Sequence, residues 1–256
     1  MTTGVLAIVL LSVGGSTVLG VLCGLVFRKI PHRHNDVFLG FAAGVMLAAA
    51  ILCLLAPAFD TPSGVWLPIL GTFTGAAMMS LLDRTVPHLH RLAGLENPDG
   101  EGGTAGKALM FVAAIALHKI PEGLATGVTF CSGDTGSVLT VAASMALQNI
   151  PESVVIVAPL LMAGVAVSRT IALSLAIAAT SVAATLGGVV LSTVALAAAP
   201  FLLASAGGAM FYVISDEMIP ETHSHGYEKP ATFALIAGFL LVVVVQKLLS
   251  GVSFLV

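Results

Sequence analysis

The sequence predicts an all-α membrane protein, a bundle of eight transmembrane helices with both termini outside the cytoplasm. Of the 256 residues, 57% are hydrophobic and only 9% are charged, and the mean hydropathy is +1.06. A soluble domain carries roughly a quarter charged residues. Most of the surface of this chain must therefore face lipid. The second and third observations are the lengths of the apolar segments and the positions of the basic residues between them.

The apolar segments are each about 18 to 27 residues long, which matches the ~30 Å thickness of the hydrocarbon core. At this length helices are favoured over a barrel, because a helix satisfies its own backbone hydrogen bonds in lipid. The stretch 83–106 reads as a flexible linker, and no second domain fits in the remainder. One transmembrane domain, 1–256, is predicted, with spans at about 4–27, 36–57, 65–82, 107–130, 136–162, 169–193, 199–222 and 230–250.

The basic residues between the spans predict the orientation. Only Lys247 lies on the side opposite to the others. Since cytoplasmic loops are enriched in lysine and arginine, the termini are predicted to lie outside the cytoplasm, in a plasma (inner) membrane. The residues on the cytoplasmic side are Arg28, Lys29, Arg33, Arg84, Arg91, Lys107, Arg169 and Lys229.

Composition also excludes several classes of protein. The net charge of −3 and the lack of a basic patch argue against a nucleic-acid partner. The cysteines, Cys23, Cys53 and Cys131, are far apart, form no CxxC pair and are expected to be buried, inert thiols. No basic residue precedes the first apolar run, so a cleaved signal peptide is not expected.

Two related polar motifs lie inside the apolar spans 4 and 5. HKIPEG begins at His118 and QNIPES begins at Gln148. Residues i and i+4 share a helix face, so His118 pairs with Glu122, and Gln148 with Glu152. The turn between the spans centres on Gly133, fifteen residues from the start of each motif. Both motifs therefore lie at the same depth, about 20 Å along their helices, near the middle of the bilayer.

Charged groups at this depth indicate an ion pathway. Each costs roughly 2.5–3.5 kcal/mol on the translocon-insertion scale. One nitrogen and three oxygen-bearing side chains suit zinc or a neighbouring first-row divalent metal. The alternative is a hydrogen-bonded polar cluster that only holds two helices together, but two motifs in register favour the ion site.

Histidines form three HxH pairs, all on the predicted cytoplasmic side, at 32/34, 88/90 and 223/225. Imidazoles at this spacing are weak ligands for divalent transition metals. Span 7 ends with a further variant of the motif, EMIPE. We interpret its surroundings as a cytoplasmic exit for metal, against the alternative of an ordinary solvated helix end. The exit residues are Asp216, Glu217, Glu221, His223 and His225.

HKIPEG and QNIPES resemble the paired signatures of the ZIP family of zinc and iron permeases. FAAGVMLAAA in span 2 and SDEMIPETHSHG in span 7 are similar to its GufA branch. The resemblance implies homodimers, and a bundle of spans 1, 4, 5 and 6 that moves against spans 2, 3, 7 and 8. It also implies a metal site formed by His118, Glu122, Gln148, Glu152, Asn149 and Met46.

Two departures from the family pattern predict a single-metal site. Relatives that hold a second ion bind it with the residue after the motif histidine and with a span 6 glutamate. Here those positions are Lys119 and Thr185. The ammonium of Lys119 can supply the positive charge that the second metal would bring. Gln148, in place of the commoner histidine, is expected to broaden the range of metals.

The predicted function is transport of divalent transition-metal ions into the cytoplasm, with zinc first and iron, manganese or cadmium as alternatives. The metal is cargo, no cofactor is expected, and the partners are the metal, the lipid bilayer and a second copy of the chain. One rival is a proton-coupled carrier of another ion, with Glu122 and Glu152 as relays. The other is an intramembrane zinc-dependent hydrolase, against which the chain has no HExxH motif.

Overall fold

The computed structural model describes residues 3–27, 31–62, 64–85, 118–162, 164–194 and 196–250. All regular secondary structure in these ranges is helical, so the prediction of an all-helical chain is confirmed for them. The helices are α1 (Thr3–Phe27), α2 (His32–Ala48, continuing to Phe59), α3 (Trp66–Thr85), α4 (118–128), α5 (Thr135–Met162), α6 (Val167–Val194), α7 (Ala199–Val213, continuing to Thr222) and α8 (Glu228–Ser250).

Six of the described helices, α1, α2, α5, α6, α7 and α8, are long and apolar enough to cross a membrane. The apolar part of α3, Trp66–Leu82, is shorter. Helix α4 is described only from residue 118, and 86–117 lies outside the described residues together with His88, His90 and most of the predicted linker. The chain is thus a helical integral membrane protein that crosses the bilayer several times.

Glycines bring the helices together in four close pairs: α1 with α5, α2 with α8, α3 with α7, and α4 with α6. In each pair a Cβ on the glycine would overlap the backbone of the partner helix, which is how small residues let membrane helices approach each other. These contacts therefore join the described helices in pairs, with the backbones of each pair closely packed. The glycines and the residues that they face are Gly20 and Ile150, Gly44 and Leu235, Gly75 and Ser205, and Gly127 and Thr185.

The two ends of the bundle differ in the basic residues that they carry. At one end lie the α4–α5 turn, the start of α1 and the end of α8, where Leu249 approaches Gly136. At the other end lie the starts of α2, α6 and α8. Arg33, Arg169 and Lys229 are exposed at these starts. These three basic residues of the predicted cytoplasmic side therefore share one end.

Helices α2 and α7 each contain a π-helical turn, Ala49–Leu55 and Ile214–Met218. A proline follows each turn, Pro57 in α2 and Pro220 in α7. Proline cannot donate a backbone hydrogen bond and clashes with the preceding turn, and a π turn is a local adjustment that lets a helix continue. The π turn of α7 carries two of the predicted exit residues.

Helix α5 begins with a capping carboxylate in the α4–α5 turn. Asp134 accepts hydrogen bonds from the backbone N–H of Gly136 (3.3 Å) and from the N–H and hydroxyl of Ser137 (2.7 and 2.6 Å). The hydrogen bond from the Ser137 hydroxyl, followed by that from its backbone, lowers the pKa of Asp134. The folded state therefore favours the ionised form of this group.

Replacing Asp134 with alanine is expected to lower the free energy of unfolding by about 1 kcal/mol near neutral pH, the usual worth of such a cap. Because the folded pKa is depressed, the stabilisation is complete above the unfolded pKa and is lost as the pH falls through the folded value. Thermal unfolding in detergent at several pH values measures this, with Asp60→Ala as the control at another exposed turn. A difference that persists unchanged in acid would contradict the capping role.

Candidate metal centre

The side chains of the two motifs meet around the ammonium group of Lys119, which is only 1% exposed. Its Nζ lies 2.6 Å from Oε2 of Glu122, 2.5 Å from Oε2 of Glu152 and 2.9 Å from Oδ1 of Asn149. Helices α4 and α5 are thus joined by charge-assisted hydrogen bonds. The pairing compensates two carboxylates that would be costly inside the membrane.

Asn149 extends this network to α1. Its Nδ2 donates to the carbonyl of Val13 and to the hydroxyl of Ser16, both at 3.3 Å. The side-chain amide is therefore engaged on both sides, by Lys119 through its oxygen and by α1 through its nitrogen. Sequence reasoning missed α1 as part of the site. The adjacent Ser16 and Thr17 within an apolar span were the available signal.

Gln148 is completely buried, and neither its Oε1 nor its Nε2 has a hydrogen-bond partner among the described residues. An unsatisfied buried amide costs about 1–3 kcal/mol and needs an explanation such as an ion. Gln148 precedes Glu152 by one helical turn on the same face of α5. Met46 of α2 is also buried, in the core that Met145 of α5 shares. The amide oxygen of Gln148 is thus suited to receive a cation beside the carboxylates.

His118 contacts α7. Its Nε2 lies 3.1 Å from Oε1 of Glu217, and both side chains are partly exposed. The contact connects α4 with α7. The central motif and the predicted exit residues are therefore in direct contact, which the sequence did not predict.

These contacts place the predicted ligands in two sets. Glu122, Glu152 and Asn149 surround Lys119, and His118 lies beside Glu217. In the part of the chain that the structure describes, no three His, Cys, Asp or Glu side chains are gathered to hold a metal ion. The physical reason is that Lys119 holds the carboxylates of Glu122 and Glu152, while His118 pairs with Glu217. Binding of a metal by all of them requires side chains to rearrange.

Thr185 is buried opposite α4, where it faces Gly127. Its hydroxyl donates to the carbonyl of Ser181 in its own helix, at 2.8 Å. Thr185 thus adds no charge to the centre. Among the described residues there, the positive charge comes from the side chain of Lys119.

The remaining exit residues lie around the end of α7. Asp216 and Glu221 are exposed. His223 bonds through Nδ1 to the carbonyl of Ile219 and the hydroxyl of Thr222 (both 2.9 Å), and through Nε2 to the hydroxyl of Thr232 (3.0 Å).

His225 contacts a residue that sequence reasoning did not select. Its Nδ1 lies 3.1 Å from Oδ1 of Asp36, a fully buried carboxylate near the start of α2. The signal for Asp36 was a single acidic residue at the edge of an apolar span. These residues connect α2 with the α7–α8 turn.

Comparison with known proteins identifies the family. Residues 88–246, more than half of the chain, match the family described as ZIP zinc transporter. The chain belongs to the ZIP family. It is 36% identical to the zinc transporter GufA of Myxococcus xanthus over 246 residues, which cover 93% of this chain and 96% of the relative.

Further ZIP relatives agree. The identity to the zinc transporter ZIPB of Bordetella bronchiseptica is 36% over 243 residues, 92% of this chain and 78% of the relative. The zinc transporter ZupT of Streptococcus mutans is 32% identical over 127 residues, 45% of this chain and 48% of the relative. ZIP proteins are transporters, so this membrane protein transports metal ions and is not an enzyme.

Proposed function

We propose that this ZIP protein carries zinc into the cytoplasm through a single-metal site between α4 and α5. The observation that carries the proposal is the cluster of Glu122, Glu152 and Asn149 on a buried ammonium, beside the unsatisfied amide of Gln148. Ionisable groups placed inside a membrane usually belong to an ion pathway. Here they carry carboxylate and amide oxygens, which bind hard and borderline divalent cations.

Zinc is proposed as the cargo because the relatives that cover most of this chain are zinc transporters. A histidine nitrogen with carboxylate oxygens is also an ordinary zinc donor set. Iron, manganese and cadmium remain alternative cargoes, since the set is rich in oxygen. The proposed ligands are His118, Glu122, Gln148 and Glu152, with Asn149 and Met46 adjoining.

Lys119 is proposed to take the place of a second metal. Its ammonium donates to Oδ1 of Asn149 and, on the two carboxylates, to the Oε2 atoms of Glu122 and Glu152. A metal that binds through the Oε1 atoms is therefore compatible with a lysine that stays in place. His118 would join the metal by leaving Glu217, a change of side-chain rotamer.

We further propose an inward orientation for the end that carries Arg33, Arg169 and Lys229, following the positive-inside rule. Both termini then lie outside the cytoplasm, after eight crossings of the plasma (inner) membrane. Asp216, Glu217, Glu221, His223 and His225 would line the exit on the cytoplasmic side. The homodimer that the family resemblance implies is part of the same proposal.

The test is zinc uptake by purified protein in liposomes that enclose a zinc-sensitive dye. We expect wild-type protein to mediate uptake down a zinc gradient, and His118→Ala to lose it almost completely, because the nitrogen ligand is gone. His34→Ala, at an exposed histidine near the start of α2, is the matched control and should transport normally. Wild-type protein without zinc flux, or His118→Ala with normal flux, would contradict the proposal.

A further inference from the structure

We propose that helix α1 sets the position of the Lys119 ammonium at the centre, and that it acts through the amide of Asn149. Ser16 is the α1 side chain that supports this amide. Asn149 and Ser16 are therefore positioning residues, which act on the metal site through the lysine. That they hold the ammonium stands on their own contacts, and the consequence for zinc rests on the proposed function.

The ammonium of Lys119 has as many donors as the structure gives it acceptors. A lysine carries three N–H groups. Two of them are matched by the carboxylates of Glu122 and Glu152, and the third by Oδ1 of Asn149, at 2.9 Å. The amide thus holds one N–H without adding negative charge. Because the ammonium is buried, loss of this acceptor would leave a polar hydrogen unsatisfied.

The partners of Asn149 determine which way its amide faces. Lysine can only donate hydrogen bonds, so the amide atom beside Lys119 must be the oxygen. The nitrogen then faces α1, where the carbonyl of Val13, which can only accept, lies 3.3 Å away. Side-chain amides are oriented from their hydrogen-bond partners, and here the partners on both sides require the same orientation.

Ser16 provides the less crowded of the two acceptors on α1. Its hydroxyl donates its one hydrogen to the carbonyl of Val13, at 3.1 Å, so towards Asn149 it acts as an acceptor. The carbonyl of Val13 also receives the hydroxyl of Thr17, at 3.1 Å. Three side-chain donors thus share a carbonyl that has two lone pairs. The carbonyl alone cannot fully replace the oxygen of Ser16.

Thr17 offers a comparison within the same turn of α1. Ser16 and Thr17 are both buried, and both hydroxyls donate to the carbonyl of Val13 at 3.1 Å. Among the described contacts, the amide of Asn149 meets the hydroxyl of Ser16 and not that of Thr17. Removal of either hydroxyl takes one donor from the same carbonyl. The two changes differ in whether they take an acceptor from Asn149.

The position of the ammonium matters because lysine and metal compete for the same two carboxylates. While Asn149 holds one N–H, the ammonium donates to a single oxygen, Oε2, of each carboxylate. An N–H that loses Asn149 would turn to Glu122 or Glu152, because charge-assisted hydrogen bonds are the stronger ones. Zinc would then have to displace it. Loss of the amide or of its support on α1 therefore weakens zinc binding.

The first measurement follows the exchange of the Lys119 ammonium hydrogens with water, by NMR of the whole protein in detergent with nitrogen-15 in its lysines. Lys119→Arg identifies the signal. We expect Ser16→Ala to speed the exchange about 5-fold, the worth of one hydrogen bond, and Asn149→Leu to speed it more. Thr17→Val is the matched control and should exchange like the wild type. Equal rates in Ser16→Ala and Thr17→Val would overturn the role of Ser16, also where Asn149→Leu does not fold.

The second measurement is the zinc dependence of uptake into liposomes. We expect Asn149→Leu to raise KM about 10-fold or more, as loss of an outer support of a metal site does, with the maximal rate per folded protein unchanged. In the Lys119→Met background, Ser16→Ala should not change KM further, since the two act through one group. A lower maximal rate at unchanged KM would reduce the α1 contacts to a structural role. Wild-type protein without zinc uptake would overturn the proposed function, while the exchange rates would still decide how Lys119 is held.

Discussion

Zinc uptake is expected to fall by more than about 100-fold when either Glu122 or Glu152 is replaced by glutamine. Loss of an outer support of a metal ligand already costs about 10–100-fold, and these carboxylates are proposed as ligands. Glutamine keeps the size and a hydrogen-bond acceptor for Lys119. In each single variant the ammonium retains the other carboxylate and Asn149. Folding and membrane insertion should therefore be preserved.

Initial rates of zinc entry into liposomes at low zinc measure this effect, with the thermal unfolding midpoint recorded in parallel. Glu228→Gln is the control for removal of one negative charge from the chain. The double variant Glu122→Gln/Glu152→Gln should fail to fold, because breaking a buried ion pair costs about 3–5 kcal/mol. Normal uptake in either single variant would show that the two carboxylates serve only to neutralise the lysine.

The second large effect concerns the number of metals at the centre. We expect wild-type crystals soaked in zinc to show one anomalous peak between α4 and α5. The double variant Lys119→Asn/Thr185→Glu should show two, about 3.5–4 Å apart as in binuclear sites. The variant removes one positive charge and adds one negative charge, and together these equal the charge that one zinc ion supplies.

Lys119→Met is the matched control, because it removes the ammonium without adding a ligand. It should not gain an ordered second ion. Two peaks in the wild-type centre would show that Lys119 moves aside instead of replacing a metal. A single peak in Lys119→Asn/Thr185→Glu would show that the close α4–α6 contact at Gly127 and Thr185 leaves no room for a glutamate ligand.

The helices and the meeting of the two motifs could be predicted because they depend on local rules. Apolar length identifies a span, and a spacing of four residues places His118 with Glu122 and Gln148 with Glu152. The proximity of Lys119 to the carboxylates followed from the matching positions of the two motifs. These predictions require only the helical period and the position of the short α4–α5 turn.

The contacts that the sequence did not predict join residues far apart along the chain. Asn149 reaches Val13 over 136 positions, and His225 reaches Asp36 over 189. Which helix faces which depends on how closely the backbones pack, and helical period carries no information on that. Glu217 as a partner of His118 was missed for the same reason, because it lies on α7, far along the chain from α4.

The close glycine contacts have a mechanical consequence. Within each pair the backbones interlock, so sliding one helix along its partner would drive backbone atoms into each other. Between α2 and α5 the core includes Met46 and Met145, whose flexible side chains repack at little cost. The Lys119 cluster joins the α4–α6 pair to the α1–α5 pair, so a displacement of α7 would break the contact between His118 and Glu217 while leaving the lysine cluster whole.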